Sequence, residues 1–239
     1  MLIKTGIDRL DKLLKGGVPF RSNVLIYANP FIGKDILMKK IAMAGLENNE
    51  GLIFVLTDTS FGELKEEMTK VMPSFTDYES KGMIRYIDVY SPTVELKEKS
   101  EWATYVESPV NRERIAYSIL QAHKEMEVEK HRLIFDSIST LIVYSDAKAV
   151  FRFLQVLSGT CKRMNTTSFF SMTRGMHEEI EVQTIKHLMD GVIELREHEA
   201  RYQIRVQGCG EAVSRHWIDY LLEENEIRLT GAFRMGRVA

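Results

Sequence analysis

The chain has few of the features that mark secreted, zinc-binding or membrane proteins. Its 239 residues include two cysteines, Cys161 and Cys209, which form no C-x-x-C pair, so we expect neither a disulfide framework nor a zinc site. No apolar run approaches the roughly 18 residues that a transmembrane helix needs, and the N-terminus has no signal-peptide pattern. We therefore expect a cytoplasmic protein without membrane insertion.

The sequence also lacks an excess of positive charge. Its 32 basic and 34 acidic residues leave a net charge of -2, which argues against a protein whose main partner is a nucleic acid. Only five prolines occur, and no low-complexity linker divides the chain. The hydrophobic fraction of 44% suits an ordinary globular core. One domain over residues 1–239 is the simplest prediction.

Predicted strands and helices alternate over most of the chain. Apolar runs predict strands at 23–28, 52–57, 83–89, 131–136 and 166–172, and helical spacing predicts helices at 7–14, 35–48, 61–72, 109–127, 150–161 and 178–189. This order predicts an α/β fold with a twisted, mostly parallel sheet and helices on both faces. Short alternating segments at 192–197, 202–207, 216–222 and 226–229 predict antiparallel strands at the C-terminal edge, and the polar stretch 90–108 predicts a surface excursion.

Residues 24–35, between the first strong strand and its helix, look like an altered phosphate-binding loop. A working loop reads G-x-x-x-x-G-K-[ST]. Gly33-Lys34 is intact, whereas Ala28 replaces the first glycine and Asp35 replaces the final hydroxyl. Phe31 stands where such loops usually carry glycine. If the φ at this position is positive, phenylalanine there destabilises the fold by about 1–2 kcal/mol relative to glycine. The candidate nucleotide-binding residues of the loop are Ala28, Asn29, Pro30, Phe31, Ile32, Gly33, Lys34 and Asp35.

The same loop has a purely structural interpretation. It is then a strand–turn–helix connection in which Asp35 caps the helix and Lys34 pairs with a carboxylate. The loop sequence alone does not decide between this interpretation and a nucleotide site.

Polar residues follow other predicted strands at the edge where parallel sheets bind ligands. Asp136 is placed like a Walker B aspartate and, with Asp35, is a candidate Mg²⁺ ligand. Asp58 is a candidate for activating water, and Thr173 for contacting a γ-phosphate. The alternatives are a helix-capping role for Asp58 and an ordinary strand end for Thr173.

Arginine is the prevailing basic residue of the C-terminal part. The positions are Arg196, Arg201, Arg205, Arg215, Arg228, Arg234 and Arg237. Such residues suit oligomer contacts or phosphate contacts, with a solvated surface as the simpler alternative.

The opening segment from Thr5 to Pro19 resembles the KaiC-like branch of the RecA-superfamily ATPases, which also holds the archaeal RadA paralogues. It reads TGIDRLDKLLKGGVP, against a signature of TGI-x-x-LD-x-LL-x-GG-x-P. The later parts follow in order: the strand ending at Asp58, Ile134-Phe135-Asp136-Ser137, Thr173 and the segment from His187 to Val192. The resemblance covers about residues 3–230. It implies a RecA-like P-loop fold that binds ATP and Mg²⁺ and often forms homo-oligomeric rings with ATP between subunits.

The chain departs from that family in three functional parts. The loop differs at Ala28, Phe31 and Asp35, and Asp58-Thr59 stands where two consecutive glutamates are usual. The stretch 206–210 lacks the Lys-x-Arg pair that reaches a neighbour's ATP. The joint change predicts a regulatory or scaffold subunit that hydrolyses ATP weakly or not at all. If Lys34 pairs internally with Asp35 or Asp136, the chain would also have lost the binding of ATP and Mg²⁺.

Two other functions stay open at this point. The first is a slow ATPase, in which Asp58 activates water while Asp35 and Asp136 hold Mg²⁺. The second is a recombination accessory that binds single-stranded DNA, as the resemblance to RadA paralogues implies; the net negative charge disfavours it. The expected partners are further copies of the chain or another protein.

Overall fold

The computed structural model describes residues 1–97, 99–210 and 216–230. The strands are β1 (Leu2–Ile3), β2 (Val18–Pro19), β3 (Asn23–Ala28), β4 (Gly51–Leu56), β5 (Ile84–Asp88), β6 (Ala103–Tyr105), β7 (His131–Asp136), β8 (Thr166–Thr173), β9 (Gly191–His198), β10 (Arg201–Gly208), β11 (Ile218–Glu223) and β12 (Glu226–Leu229). The helices are α1 (Asp8–Leu13), α2 (Lys34–Glu47), α3 (Phe61–Val71), α4 (Phe75–Ser80), α5 (Tyr90–Thr93), α6 (Arg112–Glu125), α7 (Ile138–Tyr144), α8 (Ala147–Arg163) and α9 (Glu179–His187). In the described ranges, no helix is both long and apolar enough to span a bilayer.

Most strands form one mixed sheet in the order β12-β11-β10-β9-β3-β8-β7-β4-β5-β6. The pairs from β9 through β3 to β6 are parallel, whereas β9, β10, β11 and β12 pair in an antiparallel manner. This arrangement confirms the predicted α/β fold with antiparallel strands at the C-terminal edge. It also places β3, β8, β7 and β4 side by side, so that their carboxyl ends meet at one edge.

Apolar residues fill the sheet on both of its faces. Every residue of β3 and β4 is buried, as in strands covered on two sides. Val24 and Ile26 belong to the core on the α2 side, and Leu25 and Tyr27 belong to the core on the α8 side. The alternation follows from the two-residue period of a strand.

The opening signature residues form a compact brace against α2. Asp11 is buried and accepts hydrogen bonds from the Thr5 backbone N–H (2.8 Å) and hydroxyl (2.9 Å). Burial raises the pKa of Asp11, and these hydrogen bonds oppose that rise. Gly6 has a φ of 82°, and a Cβ there would lie 2.7 Å from the Lys40 carbonyl oxygen. The spacing of Thr5, Gly6 and Asp11 thus has a packing cause. The segment they form packs against α2, the helix that follows the phosphate-binding-type loop.

The polar stretch 90–108 is only partly the predicted surface excursion. It contains α5 and the edge strand β6, which pairs in parallel with β5. Trp102 packs against the core, and the Arg85 guanidinium lies 4.9 Å from the centre of its ring. A strand of three residues in a polar stretch is too short to show an alternating apolar pattern. It could not be predicted from sequence, because only its pairing with β5 makes it a strand.

Candidate functional site

The loop between β3 and α2 contains two residues with left-handed backbone conformations, Phe31 and Gly33. Gly33 has a φ of 90°, and a Cβ there would lie 2.6 Å from Leu222 Cδ1, so glycine is required. Phe31 adopts a left-handed φ of 61°, the conformation for which glycine is the usual residue. Its side chain is 96% exposed. The predicted backbone strain at Phe31 is therefore present.

The open N-terminus of α2 faces this loop. Gly33 is the N-cap residue, and no side chain of the described part of the chain caps the helix. Within the described ranges, no acceptor bonds the backbone N–H groups of residues 31–36. Unpaired N–H groups and the positive end of the helix dipole favour an anion there. The alternative in which Asp35 caps the helix is wrong, because the Asp35 carboxylate lies toward Lys39, 3.7 Å from its Nζ.

The C-terminal hairpin β11–β12 supports the loop from the core side. Tyr220 donates a hydrogen bond from its hydroxyl to the Ile32 carbonyl oxygen at 2.6 Å. Ile32 is buried, and Leu222 and Ile227 lie against the position where Gly33 would carry a Cβ. Sequence reasoning missed this contact because it joins residues almost 190 positions apart. The hairpin explains how the loop holds its shape despite the altered sequence.

Lys34 pairs with Asp136, one of the two carboxylates expected for it. The Lys34 Nζ lies 2.6 Å from Asp136 Oδ1 and 3.4 Å from the Ser171 hydroxyl oxygen. Ser171 also donates a hydrogen bond to Asp136 Oδ1. The three side chains form one network at the ends of β7 and β8 and the start of α2. Ser171 was not predicted, although a lone serine in the apolar run Phe169-Phe170-Ser171-Met172 was a usable signal.

The two candidate Mg²⁺ ligands each have a cation as partner. Asp136 contacts Lys34, and Asp35 lies 3.7 Å from Lys39. Over the described residues, no group of three or more His, Cys, Asp or Glu side chains could hold a metal ion.

Asp58 is held by hydroxyl groups at the end of β4. Its Oδ1 accepts hydrogen bonds from Thr57 (3.0 Å) and Thr140, and its Oδ2 accepts one from Ser137 at 2.9 Å. The helix-capping alternative for Asp58 is wrong, because Ser60 caps α3 together with Glu63. The structure thus places Asp58 beside Ser137, the residue after Asp136. Both of its oxygens are engaged as acceptors.

Thr173 lies half-buried at the end of β8, next to the loop. Its backbone N–H donates to the Ser139 hydroxyl oxygen at 2.9 Å, and the following N–H, of Arg174, donates to the Ala28 carbonyl oxygen at 2.7 Å. The first bond joins the end of β8 to α7, and the second joins it to β3 at the edge that carries the loop. A role in contacting phosphate stays a prediction.

The stretch 206–210 at the end of β10 carries no basic side chain. Val206 and Cys209 are buried, and a Cβ at Gly191 would overlap Cys209. Burial raises the pKa of the Cys209 thiol to about 12, so the thiol is protonated and unreactive at neutral pH. Where the resemblance implies cations that reach a neighbouring subunit, Val206 and Cys209 of this chain pack in the core, and Gln207, Gly208 and Gly210 are exposed.

The solvated surface predicted for the C-terminal arginines is wrong for Arg196 and Arg205. Their guanidinium carbons lie 3.9 and 4.4 Å from the centre of the Trp217 ring. Arg205 also lies 2.8 Å from the carboxylate of the buried Glu194. The predicted positions Arg215, Arg234 and Arg237 lie outside the described residues.

Comparison with known proteins identifies the relatives of this chain. Residues 3–215 match the family described as ATPase: KaiC. UPF0273 proteins of Methanopyrus kandleri and Thermotoga maritima are both 26% identical to it, over 90% of this chain and 86% and 90% of their own lengths. The crystal structure of a KaiC-like protein from Pyrococcus horikoshii is 18% identical. It superposes with a TM-score of 0.73 over 96% of this chain and 99% of that one, which shows the fold.

These matches agree with the site built above: a P-loop-shaped turn, a lysine and aspartate at adjoining strand and helix ends, and a RecA-like sheet. The family match covers most of the chain, including the loop and all of the candidate site residues. The chain belongs to the KaiC family of RecA-superfamily P-loop ATPase domains.

Proposed function

We propose that this protein is a regulatory or scaffold subunit that binds nucleotide phosphates in its loop and hydrolyses them weakly or not at all. The observation that carries this proposal is the contrast within one site. The anion-binding backbone keeps its shape, while the side chains needed for hydrolysis are replaced or engaged elsewhere.

The loop backbone supports phosphate binding. The N–H groups of residues 31–36 are without acceptors in the described ranges, and they include the open first turn of α2. Lys34 stands at that turn with its Nζ held by Asp136 and Ser171. Nucleotide phosphates would attract Lys34 more strongly than one half-exposed carboxylate, since they carry several negative charges.

The catalytic side chains do not support fast hydrolysis. Aspartate is one methylene shorter than the glutamate expected at position 58, and both Asp58 oxygens already accept hydrogen bonds. Asp35 adds a negative charge near the phosphates, where the family has a neutral hydroxyl. The stretch 206–210 supplies no trans cation. Each change removes transition-state stabilisation, and arginine-finger contacts alone are worth about 10³–10⁵ in kcat in related phosphoryl-transfer enzymes.

Calorimetric titration with ATP–Mg²⁺ tests the binding part of the proposal. We expect saturable binding by the wild type, and Lys34→Ala should weaken it on the order of 100-fold, because a charged donor to the phosphates is lost. Lys70→Ala, at an exposed lysine paired with Glu66, is the matched control and should bind as the wild type does. No heat of binding at millimolar nucleotide would contradict the phosphate-binding part and leave a scaffold without nucleotide.

A slow ATPase is the second candidate, and the position of Asp58 favours it. The hydrogen bond from Ser137 to Asp58 joins the water-activating candidate to the residue that follows Asp136. If this candidate is right, Asp58→Asn should abolish phosphate release while leaving ATP affinity within about threefold of the wild type. Equal phosphate release by Asp58→Asn, Lys34→Ala and the wild type would rule it out.

A further inference from the structure

The peptide between Ile32 and Gly33 lies in the middle of the loop, between two left-handed residues. Phe31 has a φ of 61° and Gly33 a φ of 90°, whereas Ile32 between them is not left-handed. Left-handed residues placed in this way turn neighbouring backbone N–H groups toward one side, where they form a concave site for an anion. The orientation of this one peptide therefore matters for phosphate binding.

The direction of the Gly33 N–H follows from the direction of the Ile32 carbonyl. Both belong to one trans peptide unit, in which the C=O and N–H bonds point in opposite directions. The Ile32 carbonyl oxygen accepts the hydrogen bond from the Tyr220 hydroxyl at 2.6 Å, on the core side of the loop. The Gly33 N–H consequently points away from Tyr220, and among the described residues it has no acceptor.

Tyr220 is held firmly enough to fix that carbonyl. Its side chain is 2% exposed, and its ring stacks on Tyr202 with the ring centres 5.8 Å or less apart, at 5.7 Å. Burial, followed by the nearby Tyr202, raises the pKa of Tyr220 above its ordinary value. The hydroxyl therefore keeps its proton at neutral and moderately alkaline pH and remains a donor.

The hairpin β11–β12, which carries Tyr220, is fixed against the loop by apolar contacts as well. Leu222 Cδ1 and Ile227 Cδ1 lie 2.6 and 3.4 Å from the position where Gly33 would carry a Cβ. At the other end of β12, the Arg9 guanidinium donates to the Leu229 carbonyl oxygen and joins the hairpin to α1. The hydroxyl of Tyr220 is thus presented to the loop by a supported element.

The loop needs this support because Phe31 is strained. A left-handed φ is unfavourable for a bulky residue, and the Phe31 ring, 96% exposed, gains no burial in return. Strained conformations persist only where the surrounding structure holds them. Without the bond from Tyr220, the peptide after Ile32 can rotate, which relieves the strain and turns the Gly33 N–H away from the anion site.

We infer that Tyr220 is a positioning residue of the phosphate site: its hydroxyl directs the Gly33 N–H toward the bound phosphate and makes nucleotide affinity depend on the C-terminal hairpin. This inference rests on the proposed binding of nucleotide phosphates, and it assigns part of the affinity to a buried residue behind the loop. Because coupling is reciprocal, bound nucleotide stabilises the contact between the loop and the hairpin by the same factor.

Limited proteolysis without nucleotide tests the effect of Tyr220 on the loop. Chymotrypsin cleaves after exposed aromatic residues, and the Phe31–Ile32 bond adjoins the carbonyl that Tyr220 holds. Tyr220→Phe removes the hydroxyl and keeps the ring, so we expect release of the fragment 1–31 to accelerate by about fivefold or more, the usual worth of one hydrogen bond. Tyr202→Phe makes the same chemical change in the stacked ring and is the matched control, with cleavage at the wild-type rate.

Calorimetric titration with ATP–Mg²⁺, performed well below the Tm of each variant, tests the effect on binding. Tyr220→Phe should weaken binding by about tenfold, because one amide no longer points at a charged group, whereas Tyr202→Phe should bind within about twofold of the wild type. Amide hydrogen exchange over residues 218–229 should slow on ATP binding in the wild type and slow less in Tyr220→Phe. A merely structural tyrosine would lower the Tm of Tyr220→Phe and leave its ATP affinity unchanged.

The outcomes separate this inference from the proposed function. Wild-type binding of ATP that Tyr220→Phe leaves unchanged would overturn the positioning role alone, as would equal rates of cleavage after Phe31 in the two proteins. Absence of ATP binding by the wild type would contradict the proposed function and this inference with it. Faster cleavage together with weaker binding in Tyr220→Phe, with both unchanged in Tyr202→Phe, is the result that establishes the role of Tyr220.

Discussion

Replacing Arg132 with methionine is expected to lower the free energy of unfolding by about 3–5 kcal/mol, the usual effect of breaking a buried ion pair. Arg132 is fully buried, and its Nε and second terminal nitrogen lie 2.6 and 3.1 Å from the two carboxylate oxygens of Glu50. Its remaining terminal nitrogen donates to the carbonyl oxygens of Lys4 (2.7 Å) and Ile41 (2.6 Å). One side chain thus joins β7, α2 and the N-terminal segment.

The methionine variant leaves the Glu50 carboxylate buried without its cation. Denaturant unfolding should show the loss directly, and the Tm should fall by about 10 °C, since each kcal/mol corresponds to about 2–4 °C at this chain length. Adding Glu50→Gln should recover at least about 1 kcal/mol, because the uncompensated charge is removed. Lys70→Met, which breaks an exposed pair, is the control and should cost below about 1 kcal/mol. A cost below that level for Arg132→Met would contradict the bracing role.

Lowering the pH from 7 to 4 is expected to lower the free energy of unfolding by about 3 kcal/mol through His131 alone. This value corresponds to the difference between the pKa of His131 in the unfolded and in the folded chain. His131 is fully buried, and its ring centre lies 3.9 Å from that of His123. Among the residues that the structure describes, neither ring nitrogen has a hydrogen-bond partner. Burial, followed by the charge of His123, lowers the pKa of His131 from 6.5 to about 4.

The sign follows from which state binds the proton first. In the unfolded chain His131 is protonated below pH 6.5, whereas in the folded chain it stays neutral down to about pH 4. The stabilisation is therefore complete above pH 6.5 and is lost as the pH falls from 6.5 to about 4. His131→Leu should flatten this part of the stability curve. His198→Gln, at a half-exposed histidine, is the matched control. Equal slopes for the wild type and His131→Leu would show that His131 is not the group responsible.

The sheet was predictable from sequence because its strands are apolar throughout. β3 and β7 lie where the apolar runs predicted them, and α2 starts within one residue of its prediction. The helix α7 was missed because it has only seven residues, too few for the spacing of Ile138, Leu141 and Ile142 to establish a helical period. The short helix α4 was missed for lack of length. Prediction failed where pairing or packing, rather than periodicity, determines the element.

The location of the candidate residues at one sheet edge was predictable from sequence, but the contacts among them were not, and their roles stay predictions. Sequence placed Asp58, Asp136 and the loop at one sheet edge, and it named Asp136 as one partner of Lys34. It did not identify Ser171, whose hydroxyl joins that pair, or Tyr220, which supports the loop from a distant hairpin. The alternation of Arg201, Gln203 and Arg205 indicates one face of a strand. That Arg205 pairs with Glu194 could not be predicted, because it depends on the register between β9 and β10.

The altered loop residues have different structural consequences. Ala28 is buried and is the last residue of β3, whereas Phe31 introduces backbone strain and an exposed ring. Asp35 turns toward Lys39 and leaves the helix N-terminus open. The loop therefore retains an open helix N-terminus, while Asp35 is one of the groups to which the proposed function assigns weak hydrolysis.

Single-turnover hydrolysis tests the central claim most directly. Protein in excess over labelled ATP–Mg²⁺ is quenched at intervals, and ATP is separated from ADP and phosphate. If nucleotide is bound without efficient cleavage, the label should be recovered as ATP, with the same residual conversion in the wild type and in Lys34→Ala. Formation of ADP at about 1 s⁻¹ or faster, at a rate that Lys34→Ala abolishes and Asp58→Asn slows, would contradict the account and establish a working ATPase.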